Sequence, residues 1–216
     1  MTSIVAVPAE TRTRDADRTQ QAILLAASDE FSSLGLGGAR MEHIAERAGV
    51  NKRLLYYYFG SKDDLFLAVL EQTYADIRKA ETALRLENLE PATAIRRLVE
   101  FTWDYYLATP QFLTLLNSEN LHKAAHLRRS ARIRELNSPL IQLLGDVLVR
   151  GQRSNLFRGG VDPIQLYISI ASLCYFYLSN NPTLSTIFGR DLRTPTALAE
   201  RLSHVTEVVL GYVLRK

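Results

Sequence analysis

Cysteine is almost absent. Cys174 is the one cysteine in 216 residues, so no disulfide can close within the chain. A small disulfide-stapled extracellular scaffold is excluded, and the usage suits a reducing compartment, the cytoplasm. Glycine (11) and proline (7) are sparse, which argues against turn-rich all-β architectures. The longest apolar run, Leu166 to Leu178, is interrupted by serines. Its roughly 13 residues fall short of the roughly 20 that a membrane span needs and fit a buried helix. The opening "MTSIVAVPAETRTRD" has no basic stretch ahead of its short apolar patch, so it does not read as a secretory signal. Charge of one sign is also lacking. The net charge is +3, but residues 1–77 hold 8 Lys+Arg against 11 Asp+Glu, and residues 78–216 hold 18 against 12. Bulk charge therefore marks no nucleic-acid-binding domain, and any such function must rest on local placement. There is no phosphate-binding glycine loop, nucleophile elbow or catalytic dyad, so no catalytic residue and no cofactor is assigned. His122 and His126 share a helix face at i, i+4 without a third ligand nearby, and no metal site is assigned.

What is present is helical periodicity. The hydrophobic residues make up 47% of the chain, enough for one good core or two small domains. Residues 1–16 lack a pattern and read as a flexible arm. Asp17 is a candidate N-cap, followed by Ala22, Ile23, Ala26, Ala27, Phe31 and Leu34 at helical spacing, with Gly35 as the stop. Short helices are expected near 41–48 and 52–59, the first ended by Gly49 and the second by Gly60. A long helix follows from Ser61 to about Leu86, opened by "SKDD" as a capping box of Ser61 with Asp64. Further helices are expected near 91–107, 110–119, 121–135, 138–153, 162–180 and 195–214, separated by Pro, Asn and Gly breaks. The fold class is all-α: an N-terminal three-helix module over 17–77 and a C-terminal helical bundle over 78–216.

The stretch "VNKRLLYYYFGSK" at 50–62 concentrates four consecutive aromatic residues, Tyr56 to Phe59. One helix face cannot bury four neighbours that lie about 100° apart. On a wheel started at Lys52, Leu55 and Phe59 fall at roughly 300–340° and mark the inner side. Lys52, Arg53, Tyr56 and Tyr57 face outward, with Leu54 and Tyr58 at the flanks. Two short helices joined at a glycine turn, with small Ala45 where they meet and Val50 and Leu55 as plugs, describe a helix-turn-helix. Two cations and two tyrosines on the outer face suit the DNA major groove, where Lys and Arg reach phosphates or guanine and Tyr meets a thymine methyl or a phosphate. Lys62, in the first turn of the next helix, and Arg40, at the start of the second, are placed to reach the phosphate backbone. The competing account is that the tyrosines pack on neighbouring helices and the cations form a solvated face. Arg12 and Arg14 read as a disordered tail or as a minor-groove arm.

These residues carry a family resemblance. "MEHIAERAGVNKRLLYYYFGSKDDL" resembles the signature of the TetR family of transcriptional regulators, I-A-x-x-A-G-V followed by L-Y-x-H/Y-F-x-S-K-x-x-L. The matched positions are Ile44, Ala45, Ala48, Gly49, Val50, Leu55, Tyr56, Phe59, Ser61, Lys62 and Leu65. The resemblance implies operator contacts from Arg40, Lys52, Arg53, Leu54, Tyr56, Tyr57, Tyr58 and Lys62. One departure is the run Gly38-Ala39-Arg40, where the family usually caps the second helix with Thr or Ser. The C-terminal stretches "SENLHKAAHLRRSARIRELNSPL" and "LYISIASLCYFYLSNNPTLSTIFGRDL" are similar to the subgroup containing a nicotinate-degradation repressor. The resemblance further implies a homodimer through helices near 162–180 and 195–214, whose apolar faces carry Ile168, Ala171, Leu198, Leu202, Val205, Val209 and Tyr212. The implied partners are palindromic double-stranded operator DNA and a small-molecule effector. Candidate effector contacts that mix rings with amides are Trp103, Tyr106, Phe112, Asn117, Asn120, Tyr175 and Phe176. The expected function is a ligand-responsive, dimeric transcriptional repressor. The alternative is a helical small-molecule-binding protein or enzyme whose N-terminal module makes protein contacts.

Overall fold

The computed structural model describes residues 9–215, apart from the side chains of residues 9–14, 137 and 138. Among the described residues there are ten α-helices and no β-sheet. They are α1 (Ala9–Gly38), α2 (Met41–Arg47), α3 (Lys52–Phe59), α4 (Lys62–Thr82), α5 (Pro91–Ala108), α6 (Pro110–Leu121), α7 (Ala131–Arg153), α8 (Pro163–Ser179), α9 (Asn181–Phe188) and α10 (Pro195–Val213). None of them is long and apolar enough to cross a membrane.

The start of α1 differs from expectation. The helix is under way at Ala9, and Thr19 Oγ1 donates to the Asp15 carbonyl at 2.7 Å, so Asp17 lies inside it rather than at its cap. Residues 9–16, expected in the arm, are helical; residues 1–8 and the side chains of Arg12 and Arg14 lie outside the described residues. Gly35 breaks the helix as expected, with φ 67° in the left-handed region where only glycine is unstrained.

The chain forms two compact units. One runs to Gln72 and includes Thr114–Ser130; the other is Thr73–Leu113 with Ala131 onward. The expected split after residue 77 is contiguous, and the compact units are not. The reason lies in the first unit. Leu115 joins its core with Ile23, Phe31, Ile44, Leu55 and Phe66. His126 stands edge-on to Phe66 at 5.0 Å, Arg129 pairs with Asp64, and the Ser130 hydroxyl donates to Glu71.

The segment 121–135, expected to be helical, is not. After α6 the backbone turns through positive φ at Lys123 (55°) and Ala124 (57°), and only a 3₁₀ turn forms at Leu127–Arg129. The buried Glu119 carboxylate accepts from the backbone N–H of His126 and of Leu127, each at 2.9 Å, and binds the His126 ring at 2.6 Å. A side chain has taken the donors that a continuing helix would have used. His122, paired with His126 in the sequence reading, directs Nδ1 to the Ser118 carbonyl at 2.7 Å.

In the second unit α5 packs on α7, α8 and α10, and α8 packs on α7, α9 and α10. Helix α7 runs straight through the expected break at Asn137–Ser138–Pro139. An interior proline costs about 3 kcal/mol. The stripe Leu140, Leu144, Val147 and Leu148 recurs at helical spacing and is buried along its whole length, which offsets that penalty. Helix α9 was read as a break at Asn180–Asn181–Pro182. Pro182 instead occupies its first turn, and Gly189, with φ 60°, ends it. The long helix expected to reach Leu86 stops at Thr82, followed by Arg85 at φ 52° and a 3₁₀ turn at Leu86–Asn88.

Candidate nucleic-acid interface

The turn between α2 and α3 is built from three main-chain hydrogen bonds: Ala48 N–H to Ile44 O, Gly49 N–H to Glu46 O and Val50 N–H to Ala45 O, at 2.9–3.0 Å. Gly49 takes φ 67°, the conformation its place in the turn requires. Asn51 caps α3 by accepting from the Arg53 N–H at 2.8 Å, a contact that sequence reasoning passed over although Asn is among the preferred N-caps.

Leu55 is completely buried in the core of this unit, and Tyr58 and Phe59 pack against that core half-buried. On the other side Tyr56 is 44% and Tyr57 79% exposed. Lys52 and Arg53 are exposed and Leu54 is half-buried. The four residues read as outward are therefore outward, and the two flanks are intermediate. Tyr57 leans edge-on against Tyr58 at 5.2 Å, which steadies its ring without burying it.

The cations are not idle in the DNA-free chain. Lys52 pairs with Glu42 of α2, and its ammonium lies 5.7 Å over the Tyr56 ring. Hydrogen bonding within this pair raises the Lys52 pKa and lowers that of Glu42. Lys62 Nζ reaches the Gly37 carbonyl at 3.5 Å from the first turn of α4. The capping box expected there is present: Ser61 Oγ accepts from the Asp64 N–H at 3.1 Å and donates to Asp64 Oδ2 at 2.6 Å. The Ser61 hydroxyl first, and then Arg129, hold the Asp64 carboxyl below its usual range.

Arg40 is the N-cap residue of α2 with extended backbone (φ −122°, ψ 130°), and its own side chain makes no cap. The missing hydroxyl cap has a substitute. The buried Glu30 of α1 accepts from the Arg40 N–H at 3.3 Å and from His43 Nδ1 at 3.2 Å, and stands 3.8 Å from Arg47 Nη2. Glu30 does for α2, from another helix, what the acidic member of a capping box does within one. No signal in the local sequence ties residue 30 to residues 40–47.

The seven candidate effector residues do not form one chamber. Trp103, Tyr106 and Phe112 are core residues, with Tyr106 stacked on Phe112 at 5.4 Å and Trp103 against Tyr177 at 5.7 Å. Tyr175 is half-buried and Phe176 is exposed on α8. Asn117 and Asn120 lie in the first compact unit, apart from the other five. A cavity of about 380 Å³ opens elsewhere in the second unit, between α4 and α7. Its wall includes Arg78, Lys79, Glu81, Glu135, Leu136 and Leu140, and none of the seven. A groove of about 420 Å³ runs between α8 and α10, bordered by Ile168, Leu173, Val208 and Tyr212. Of the residues expected on the dimer faces, Val205 and Val209 are instead buried within the chain, where they pack its own core. Among the described residues no group of three His, Cys, Asp or Glu side chains is placed to hold a metal.

The geometry can be set beside known proteins. Residues 23–69 match the family model described as bacterial regulatory proteins, tetR family, and residues 91–209 match a tetracyclin repressor-like C-terminal domain. The chain is 44% identical over 199 residues to the HTH-type transcriptional repressor NicS of Pseudomonas putida, covering 92% of this chain and 94% of that one. It is 31% identical over 201 residues to the HTH-type transcriptional regulator RutR of Escherichia coli, covering 92% of each. Among solved structures, a transcriptional regulator of Streptomyces coelicolor, SCO4942, superposes with a TM-score of 0.68 at 23% identity, covering 92% of this chain and 99% of that one. FadR of Bacillus subtilis, solved with stearoyl-CoA, superposes with a TM-score of 0.69 at 16% identity, covering 89% and 98%. These two share the fold.

Proposed function

This chain belongs to the TetR family of helix-turn-helix transcriptional regulators, and we propose that it is a ligand-responsive repressor that binds a palindromic operator as a homodimer. The observation that carries this reading is the division of α3: Leu55 is anchored at 0% exposure while Tyr57, two residues on, stands 79% exposed beside Lys52, Arg53 and Tyr56. A buried anchor and a rigid aromatic-cationic outer face are what a helix needs to enter a major groove without moving. Tyr58 and Leu54 border that face, and Arg40 and Lys62 supply phosphate contacts at its ends.

The dimer forms through α8 and α10. Ile164, Ile168, Phe176, Val208 and Tyr212 are each 42–57% exposed there, a density of apolar side chains that a second copy would cover. Two half-sites one or more DNA turns apart then follow from the two-fold axis. An effector binding the second unit shifts the population between arrangements with different separation of the two α3 helices, and the repressor leaves its operator. The protein works where the chromosome is, in the cytoplasm, and performs no catalysis.

Selection of bound sequences from a random DNA pool tests the reading. A palindromic product is expected. Recovery of no enriched sequence, with binding that is absent at every salt concentration, would favour a protein-contact role for the N-terminal module.

A further inference from the structure

The second unit contains a buried ion pair whose hydrogen-bonding capacity is unfilled. Arg78 and Glu81 lie one turn apart on α4, with side chains 7% and 3% exposed. Arg78 Nη1 stands 2.6 Å from Glu81 Oε2, close enough for an ion pair but off the hydrogen-bonding line. Arg78 Nε, Arg78 Nη1 and Glu81 Oε2 are left without a hydrogen-bond partner among the described residues. Nη2 donates to the Tyr167 hydroxyl at 2.6 Å. Buried polar groups in folded proteins are almost always satisfied, and a buried guanidinium with open donors asks for an acceptor.

Both side chains form part of the wall of the 380 Å³ cavity, whose opposite side is the apolar face of α7, Leu136, Pro139, Leu140 and Leu143. Burial pushes the Glu81 carboxyl up to about 7, against the opposing pull of Arg78. Near neutral pH, Glu81 therefore carries its proton much of the time, and Arg78 is then a buried cation without a counter-charge.

We infer that this cavity is a binding site for a small organic carboxylate, whose oxygens accept from the open N–H groups of Arg78 while its hydrocarbon part lies on the leucines of α7. A cationic ligand would meet Arg78 at the wall, and a neutral amide would fill the donors but leave the charge uncompensated. Entry of the anion next to Glu81 favours the protonated acid, which becomes a donor rather than a repelling charge. Binding is thus linked to uptake of a proton. The other ionisable groups facing the pair are Tyr105 and Tyr106 of α5 and Tyr167 of α8, all pushed up by burial and neutral at pH 6–8, with Lys79 and Glu135 on the cavity wall. The assignment of this ligand as the effector rests on the regulator reading above; the site itself does not.

The test is isothermal titration of the DNA-free full chain with benzoate and with benzamide, a neutral molecule of the same shape. Benzoate is expected to bind at least about tenfold more tightly than benzamide. Its affinity should rise about tenfold from pH 8 to pH 6, the change in the protonated fraction of a group titrating near 7. Glu81→Gln keeps a donor without a charge, and should bind benzoate at pH 8 as the parent does at pH 6, with no pH dependence. Arg78→Gln, with its fold checked by circular dichroism, should lose benzoate binding. Equal affinity for the two probes, no binding of benzoate at any pH, or a pH slope that survives Glu81→Gln would each overturn the inference. An operator gel shift on the same preparation separates the two readings: DNA binding without benzoate binding removes only the carboxylate site, and the reverse result removes only the regulator.

Discussion

Replacing Tyr57 with alanine should separate recognition from folding. With 79% of its surface exposed, Tyr57 has only about a fifth of a side chain of roughly 200 Å² covered in the folded chain. At about 25 cal/mol per Å² the lost burial amounts to about 1 kcal/mol. Alanine returns about half of that through its better helix propensity, and the edge contact with Tyr58 contributes on the same small scale. The melting temperature should therefore fall by no more than a few degrees for a chain of this size. The effect on DNA is larger. Loss of a base contact of about 1.4–2.8 kcal/mol weakens specific binding by roughly ten- to a hundredfold. Tyrosine carries no charge, so non-specific affinity and the salt slope should not change. Fluorescence anisotropy with the selected operator and with scrambled DNA, at several salt concentrations, measures all three quantities, and sedimentation reports the dimer. Leu55→Ala is the contrasting control: a fully buried leucine in the same helix costs about 2–5 kcal/mol and should lower the melting temperature instead. An operator affinity of Tyr57→Ala within twofold of the parent would refute the assignment of the outer face, and so would a loss accompanied by dissociation or extensive unfolding.

Three further outcomes follow from single contacts. Glu42→Gln releases Lys52 from its ion pair and removes a negative charge beside the DNA face; binding to any DNA should strengthen and the salt slope should steepen by about one, with no measurable change in stability, and an unchanged slope would show that Lys52 does not reach a phosphate. Glu30→Ala leaves the Arg40 N–H without its acceptor and opens a buried site, so thermal unfolding should register about 1–3 kcal/mol of lost stability; a melting point within one degree of the parent would deny Glu30 its capping role. Gly151→Ala would place a Cβ 2.1 Å from the Phe157 ring, and the forced shift of a buried ring should cost about 1–3 kcal/mol in denaturant unfolding, whereas an unchanged midpoint would mean that the ring has room to move.

The N-terminal module was legible because its signals are local. Gly49 and Gly60 end their helices, Ser61 and Asp64 cap the next one, and a 100° step per residue is enough to sort Leu55 from Tyr57. Where a contact joins distant residues the same reasoning failed. Glu119 bends the chain by capturing amides seven and eight residues on, which turned an expected helix at 121–135 into a turn. Pro139 looked like a stop until the stripe from Leu140 to Leu148 proved continuous and buried. The effector candidates were chosen as rings and amides, and the cavity is instead walled by an arginine, a glutamate and the leucines of α7.

By itself, then, the sequence determined the helical class, the glycine turn and the recognition face of α3, because each depends on periodicity or on a backbone conformation that one residue type permits. Tertiary structure alone decided that Glu30 caps α2, that residues 114–130 pack with the first unit, and that Arg78 and Glu81 share a cavity wall with α7. Those are matters of burial and of long-range partners, and a buried charge has no signature until the surface that removes its water is in place.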